Sequence, residues 1–146
     1  MKWLLFVILI GVSLSSWAQL PATGKRVTGP VTTKRGIVLK EGDQVRFGEG
    51  GLASGGYQYV YLSFDKFGQK AEVAHLEEGY AYKYATIKEF REVGSGNDKR
   101  LVALVRPKGG ITINFRAVDL EPAMQSKEII SINGTAISKL IAKKQI

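Results

Sequence analysis

A mainly β fold is predicted by three observations. Apolar residues recur with period two over most of residues 36–115, the spacing of a strand that turns one face inward. Glycine supplies 17 of 146 residues, against a usual share of about 7%, and it gathers between the alternating runs, where turns need it. The runs are short, six or seven in number, and only two small helical patterns follow them. Together these predict a small antiparallel SH3-like barrel or a strongly bent sheet with one or two short C-terminal helices.

The elements follow in order. Residues 19–35, rich in Pro, Gly and Thr, read as an extended arm or linker, able to add an edge strand. Gly36–Lys40 and Gln44–Phe47 read as two strands of a hairpin around the turn Glu41-Gly42-Asp43. Residues 48–56 hold five glycines and read as a loop. Tyr57–Leu62 is the clearest strand, with Tyr57, Tyr59 and Tyr61 on one face and Gln58, Val60 and Leu62 on the other. Residues 63–79 carry no decisive period. Tyr80–Val93 alternates again, with Tyr80, Tyr82 and Tyr84 sharing a face, and residues 94–98 turn the chain. Arg100–Arg106 is an apolar run bounded by charges, the mark of a central strand, and Ile111–Phe115 follows after a turn at 107–110. Asp119 is placed to cap a helix over 120–128, and Ile129 and Ile130 resume extended structure. Thr135 is placed to cap a last helix over 136–144, with Ile137, Leu140 and Ile141 on one side and Lys139 and Lys143 on another.

The first residues point to export. Lys2 precedes an apolar run from Trp3 to Leu14, and Ser16-Trp17-Ala18 has the small-x-small form of a cleavage site. Residues 1–18 are therefore expected to be a signal peptide, since a membrane span needs about 20 apolar residues; an uncleaved anchor helix is the alternative. The expected location is the periplasm or the medium. There are no cysteines, which removes disulfides, thiolate metal sites, a lipoprotein anchor and cysteine nucleophiles. One histidine removes multi-histidine metal sites. The expected domain is residues 36–130, with 131–146 as a basic tail. Asn133-Gly134-Thr135 matches a glycosylation sequon, read as chance in a bacterial chain.

Lys and Arg number 21 against 13 Asp and Glu, a net charge of +8. The charge is blocked: 19–40 carries Lys25, Arg26, Lys34, Arg35 and Lys40 without an acid, and 99–118 carries Lys99, Arg100, Arg106, Lys108 and Arg116 without one. Such a chain outside the cytoplasm suits an anionic lipid, glycan or polymer partner, although scattered surface lysines alone give the same pI.

Gly48-Glu49-Gly50-Gly51-Leu52-Ala53 has the form G-x-G-x-x-A after a strand, but a pyrophosphate site needs a helix to follow. Ser54-Gly55-Gly56 prevents one, so no nucleotide cofactor is expected; the loop retains the capacity of a glycine-rich nest to hold an anion. Glu77-Glu78, as neighbours on an extended chain, point apart and make no acid–base pair. His75 has no G-x-S-x-G serine to serve, which leaves a hydrolase built on His75 and a glutamate as a remote reading.

The tyrosine ladders are the strongest local signal. Aromatic rings on a wet sheet face form a stacking platform for sugars or bases; turned inward they are core. The second ladder is the better candidate for burial, because its opposite face carries Lys83 and small alanines; the first is open to either reading. The expected binding residues are Tyr57, Tyr59 and Tyr61 with Arg106 and Lys108.

The segment Val38–Gly48, with Gly42-Asp43 at its centre, followed by the glycine loop and Tyr57-Gln58-Tyr59-Val60-Tyr61, resembles small exported β-rich proteins of Gram-negative bacteria with no assigned function. Val118–Met124 with Lys127-Glu128-Ile129 looks like the short helix that closes the same pattern, with Ser126-Lys127 where a glycine is frequent. The resemblance covers roughly 36–130 and implies a compact β-domain, without catalytic residues or a ligand. The expected function is therefore that of an exported, non-enzymatic β-domain with no cofactor or metal, binding an envelope protein, a glycan or another anionic polymer. The C-terminal tail offers a membrane-surface contact. The alternative is a structural or assembly component of a larger envelope complex.

Overall fold

The computed structural model describes residues 24–109 and 115–144. The fold is mainly β, an antiparallel sheet with short helices. The strands among the described residues are β1 (Gly24–Val27), β2 (Val31–Thr32), β3 (Val38–Leu39), β4 (Gln44–Phe47), β5 (Val60–Tyr61), β6 (Tyr84–Val93), β7 (Arg100–Pro107), β8 (Arg116–Asp119), β9 (Ile129–Ile132) and β10 (Thr135–Ala136). The helices are α1 (Ala71–Ala74), α2 (Leu120–Gln125) and α3 (Ile137–Lys144). The signal peptide expected at 1–18, the beginning of the arm and the strand positions 111–114 lie outside the described residues.

The main sheet runs β10-β9-β4-β6-β7-β8-β5, with β1 also on β6, and β2 pairs β3 in a separate small sheet. No pairing closes this path into a barrel among the described residues. Strand β6 is the spine. One edge carries β7 along its whole length, while the other carries β4 opposite Tyr84–Thr86 and β1 opposite Phe90–Val93. Two register shifts, at Arg46/Phe47 and Ile87/Glu89, interrupt the ladders; bulges of this kind bend a strand and raise its twist.

The apolar run in β7 is explained by burial on both faces. Ala103 and Val105 enter the main core with Phe47, Tyr57, Ile87, Phe90 and Leu120. Val102 and Leu104 enter a second cluster with Tyr61, Phe67, Val93 and Ala117. The apolar side of α3 is also used: Ile137 is buried, and Leu140 and Ile141 pack on the main core.

Several expectations are corrected. Strands β3 and β4 do not form a hairpin. The turn between them exists, with Asp43 N–H donating to the Lys40 carbonyl at 3.1 Å and Lys40 N–H to Asp43 Oδ2 at 2.8 Å. However, β3 joins β2, whereas β4 joins β6 and β9, so long-range pairing overrides the local turn. The aromatic strand shrinks to β5. Asp119 makes no side-chain cap on α2. Thr135 belongs to β10, behind a two-residue Asn133-Gly134 turn with φ of 49° and 82°. Both angles are positive, as the favoured hairpin turn requires.

The glycine loop is held by an internal anion. Glu128 is fully buried. Its Oε2 accepts from the N–H groups of Gly51 at 2.8 Å and Gln58 at 2.7 Å, and its Oε1 from Tyr59 N–H at 2.8 Å. Lys127, at φ 66°, turns the chain ahead of Glu128. The same junction brings Glu128 C=O onto the Gly48 N–H at 2.8 Å. A methyl group at Gly48 would overlap the Lys127 carbonyl oxygen, and one at Gly50 the Gly55 carbonyl oxygen; side chains there are excluded by backbone approach. Tyr57 completes the closure, its hydroxyl donating to the Gly48 carbonyl at 2.6 Å, its ring edge-on to Phe47 at 5.8 Å. Burial first, and then the Glu128 charge, push the Tyr57 phenol up to about 12.

Hydrogen bonds to a charged group contribute about 1.5–3 kcal/mol each. Glu128→Gln is expected to lower unfolding stability by about 2–3 kcal/mol, because an amide offers one acceptor oxygen and brings an NH₂ against N–H donors. Glu128→Ala is expected to cost more, orphaning three donors. Urea denaturation checks both; a loss below about 0.5 kcal/mol, the range of ordinary surface substitutions, contradicts the assignment.

Candidate functional site

Two surfaces bring functional groups together. The first is an aromatic and basic face built on β4, β6 and β7. Alternation places Gln44 and Arg46 outward on β4, since Val45 and Phe47 are buried. Register sets Arg46 beside Tyr84 and Gln44 beside Thr86, and Thr86 beside Arg106. Lys108 is tied to the same row by its N–H, which donates to the Tyr84 carbonyl at 2.9 Å. The Arg46 guanidinium carbon lies 5.4 Å from the Tyr82 ring centroid and 5.2 Å from that of Tyr84, within cation–π range. Its Nε–H donates to the Tyr82 carbonyl at 3.1 Å.

Tyr82 is 51% exposed and Tyr84 37%. Tyr82 also sits at φ 66°, a left-handed conformation that costs a bulky residue about 1–2 kcal/mol. Its N–H donates to the Phe47 carbonyl at 2.8 Å, which holds it there. A hollow of about 460 Å³ opens beside these rings, walled by Tyr80, Lys83, Pro107 and Lys108, without an acidic side chain among its described lining residues.

The tyrosine ladders thus take the opposite roles to the expected preference. Tyr57 is 1% exposed and Tyr61 6%, while Tyr59 is half-buried. Of the second ladder, Tyr80 is half-buried and Tyr82 and Tyr84 are wet. Residues 80–83 form a turn, so Lys83 carries no information about the strand face. Alternation starts at Tyr84, and Ala85 goes inward opposite Val45 and Pro107, with Ile87 and Phe90 supplying volume farther along. Of the expected binding residues, Arg106 and Lys108 lie on this face, whereas Tyr57 and Tyr61 are core residues and Tyr59, with the edge of Tyr61, lines another cavity.

The second surface is a cleft of about 860 Å³. Its walls come from the arm (Val27, Val31), from Tyr59 and Tyr61, from His75, and from the sheet end at Arg100 and Asp119. The Asp119 side chain is 5% exposed, and among the described residues its single ion pair is to Arg100 Nη1, at 3.4 Å from Oδ2. Burial pushes the Asp119 carboxyl up from 3.8 to about 6, against the pull of Arg100 and with a smaller push from Glu121. Tyr59 and Asp119 are coupled through the main chain, Asp119 N–H donating to the Tyr59 carbonyl at 2.9 Å. Because Glu128 holds the Tyr59 N–H, the cleft floor is fixed on both sides.

His75 is not part of a nucleophilic triad. Its Nδ1 lies 2.8 Å from the Tyr57 carbonyl oxygen and its Nε2 2.9 Å from that of Gln69. Its ring packs on Tyr61 at 4.3 Å. Glu77 and Glu78 are exposed. Among the described residues, no group of three or more His, Asp or Glu side chains could hold a metal ion, and no helix is long and apolar enough to cross a membrane. A scan of protein-family models and searches of curated proteins and of solved structures returned no match to this chain.

Sequence reasoning missed Glu128 and Asp119. Glu128 lies among helix-end residues and its partners are 69–77 positions away. Asp119 has the local signature of a cap, and only the pairing of β8 with β7, which sets it opposite Val102, reveals another use.

A carboxyl raised in the fold binds protons that the unfolded chain has released, so stability falls as pH rises from about 4 through about 6. Asp119→Asn removes that penalty. It is expected to raise stability at pH 7.5 by up to about 3 kcal/mol and to make little difference at pH 3.5. Thermal melts of both proteins across this range provide the check; a variant less stable at pH 7.5 contradicts the assignment.

Proposed function

We propose that the chain acts, after export through its N-terminal segment, as a non-enzymatic binding domain for an anionic polymer of the cell envelope. The contact surface is the face formed by Arg46, Tyr82, Tyr84, Arg106 and Lys108. The single observation that carries this reading is the Arg46 guanidinium set against the two wet rings of Tyr82 and Tyr84. A cation already seated on aromatic faces keeps its outward N–H groups for a partner. Arg106 on β7 and Lys108 just past its end extend the positive row, and the hollow, beside which the Tyr82 hydroxyl donates to Glu49 Oε1 at 3.4 Å, gives sugar or base rings a place to stack. The unfavourable backbone of Tyr82 supports a functional role, since strain of this kind gathers at sites. The apolar side of α3 is engaged by the core, which favours the sheet face over the tail as the contact. The two register shifts suit a strongly bent sheet of the SH3-like type, which would present this face as a shallow curved surface.

Heparin affinity chromatography tests this reading. The protein is expected to be retained at low salt, with retention falling steeply as salt rises. Arg46→Ala, Arg106→Ala and Lys108→Ala should each elute earlier, whereas Lys139→Ala, on α3, should elute close to the parent. Tyr84→Ser should elute earlier with its charge count unchanged, which separates ring stacking from net charge. Passage through the column without retention at low salt overturns the proposal, as does equal loss from any lysine or arginine removed.

A further inference from the structure

The cleft over Asp119 shares no lining residue with the aromatic and basic hollow, and its chemistry differs. Its charged lining residues are balanced: Glu92, Asp119 and Glu121 against Lys34, Lys99 and Arg100. A polyanion gains little from such a wall, because Lys99 is paired with Glu92 and Arg100 with Asp119. A peptide strand has no ladder to join at the aromatic wall. The Tyr59 N–H and C=O are taken by Glu128 and Asp119. Tyr61 pairs with Ala117 on one side and bridges to His75 on the other. Addition of a strand needs a free edge.

What the cleft does offer is hydrogen-bonding capacity beside an aromatic wall. A carboxylate has about four acceptor positions. Among the described residues, Asp119 spends one of them, on a 3.4 Å contact from Arg100. The Arg100 side chain is 56% exposed, so the rest of its fork is open. An acceptor and a forked donor side by side match two neighbouring hydroxyl groups, one donating to the carboxylate and the next accepting from the guanidinium. The half-buried Tyr59 ring supplies a surface for the C–H side of a sugar ring, and Gln58 an uncharged polar contact. The volume, about 860 Å³, lies within the range of small-molecule sites.

We propose that this cleft binds a neutral pyranoside, with a vicinal hydroxyl pair held by Asp119 and Arg100 and the sugar face packed on Tyr59. The site is separate from the anionic-polymer face and stands or falls independently of it. The ligand's hydroxyl groups add hydrogen bonds to the Asp119 carboxylate beyond the one that Arg100 makes.

Titration with cellotetraose, chitotetraose and maltotetraose, followed by amide and Arg Nε chemical shifts, tests this. At least one sugar is expected to give saturable shifts centred on Tyr59, Arg100 and Asp119. Asp119→Ala and Arg100→Ala are expected to weaken that binding by about tenfold or more. Arg100 is exposed enough for its variant to fold, so a folding failure of Asp119→Ala leaves the test intact. Arg106→Ala should bind the sugar as the parent does while eluting earlier from heparin, which separates this site from the polymer face. No saturable shift with any of the three sugars overturns the proposal. So does an affinity in Arg100→Ala equal to the parent's, or a heparin fragment or triglycine displacing the sugar's pattern at Tyr59 and Arg100.

Discussion

A buried carboxylate facing backbone N–H groups is the constraint on which the rest of this structure depends. Glu128 gathers the N–H groups of Gly51, Gln58 and Tyr59, joining the glycine loop, the start of the aromatic segment and the chain between α2 and β9. Bringing such a charge out of water costs several kcal/mol unless hydrogen bonds offset it; three charge-assisted hydrogen bonds take three of its about four acceptor positions. The loop is glycine-rich because the carboxylate and the adjoining carbonyls approach its backbone closely. The capacity of a glycine nest for an anion is thus realised inside the molecule.

Both candidate surfaces follow from this closure. On one side, Tyr59 is held through its N–H by Glu128 and through its carbonyl by Asp119 N–H, so the cleft floor cannot shift without disturbing the clamp. On the other, the Tyr57 hydroxyl on the Gly48 carbonyl and the Tyr57 ring against Phe47 secure the end of β4, from which Arg46 reaches Tyr82 and Tyr84. Of the local features that run against stability, the buried Asp119 carboxyl and the left-handed Tyr82 each lie at one of the surfaces, and the left-handed Lys127 lies at the Glu128 clamp. Features that a stable fold would otherwise avoid are reasonable markers of function.

Much of the architecture was legible in local patterns. The paired strands β6 and β7, the turn between them and the last helix follow from alternation, glycine and lysine placement. The run from Arg100 to Arg106 reads as a central strand because both faces are buried. What escaped depends on which distant segments meet. Alternation says that Tyr80, Tyr82 and Tyr84 share a face only if the strand begins at Tyr80; the turn at 80–83 removes that premise. Gly42 marks a turn but not which strands flank it as partners. Asn133-Gly134 carries a hairpin signal that a sequon reading obscures. Glu128 reads as the end of a helix over 120–128 and Asp119 as its cap, because their partners lie at remote positions or across a strand pair that no local window contains.

Native-state hydrogen exchange at Gly51, Gln58 and Tyr59 tests the central claim most directly. If the Glu128 carboxylate closes the loop onto the core, these three amides exchange slowly, through openings close in free energy to global unfolding, despite the glycine content around them. Exchange at the rate of unprotected loop amides, with the β6 and β7 amides still protected, would show that the clamp is not formed in solution and would remove the common support of both surfaces.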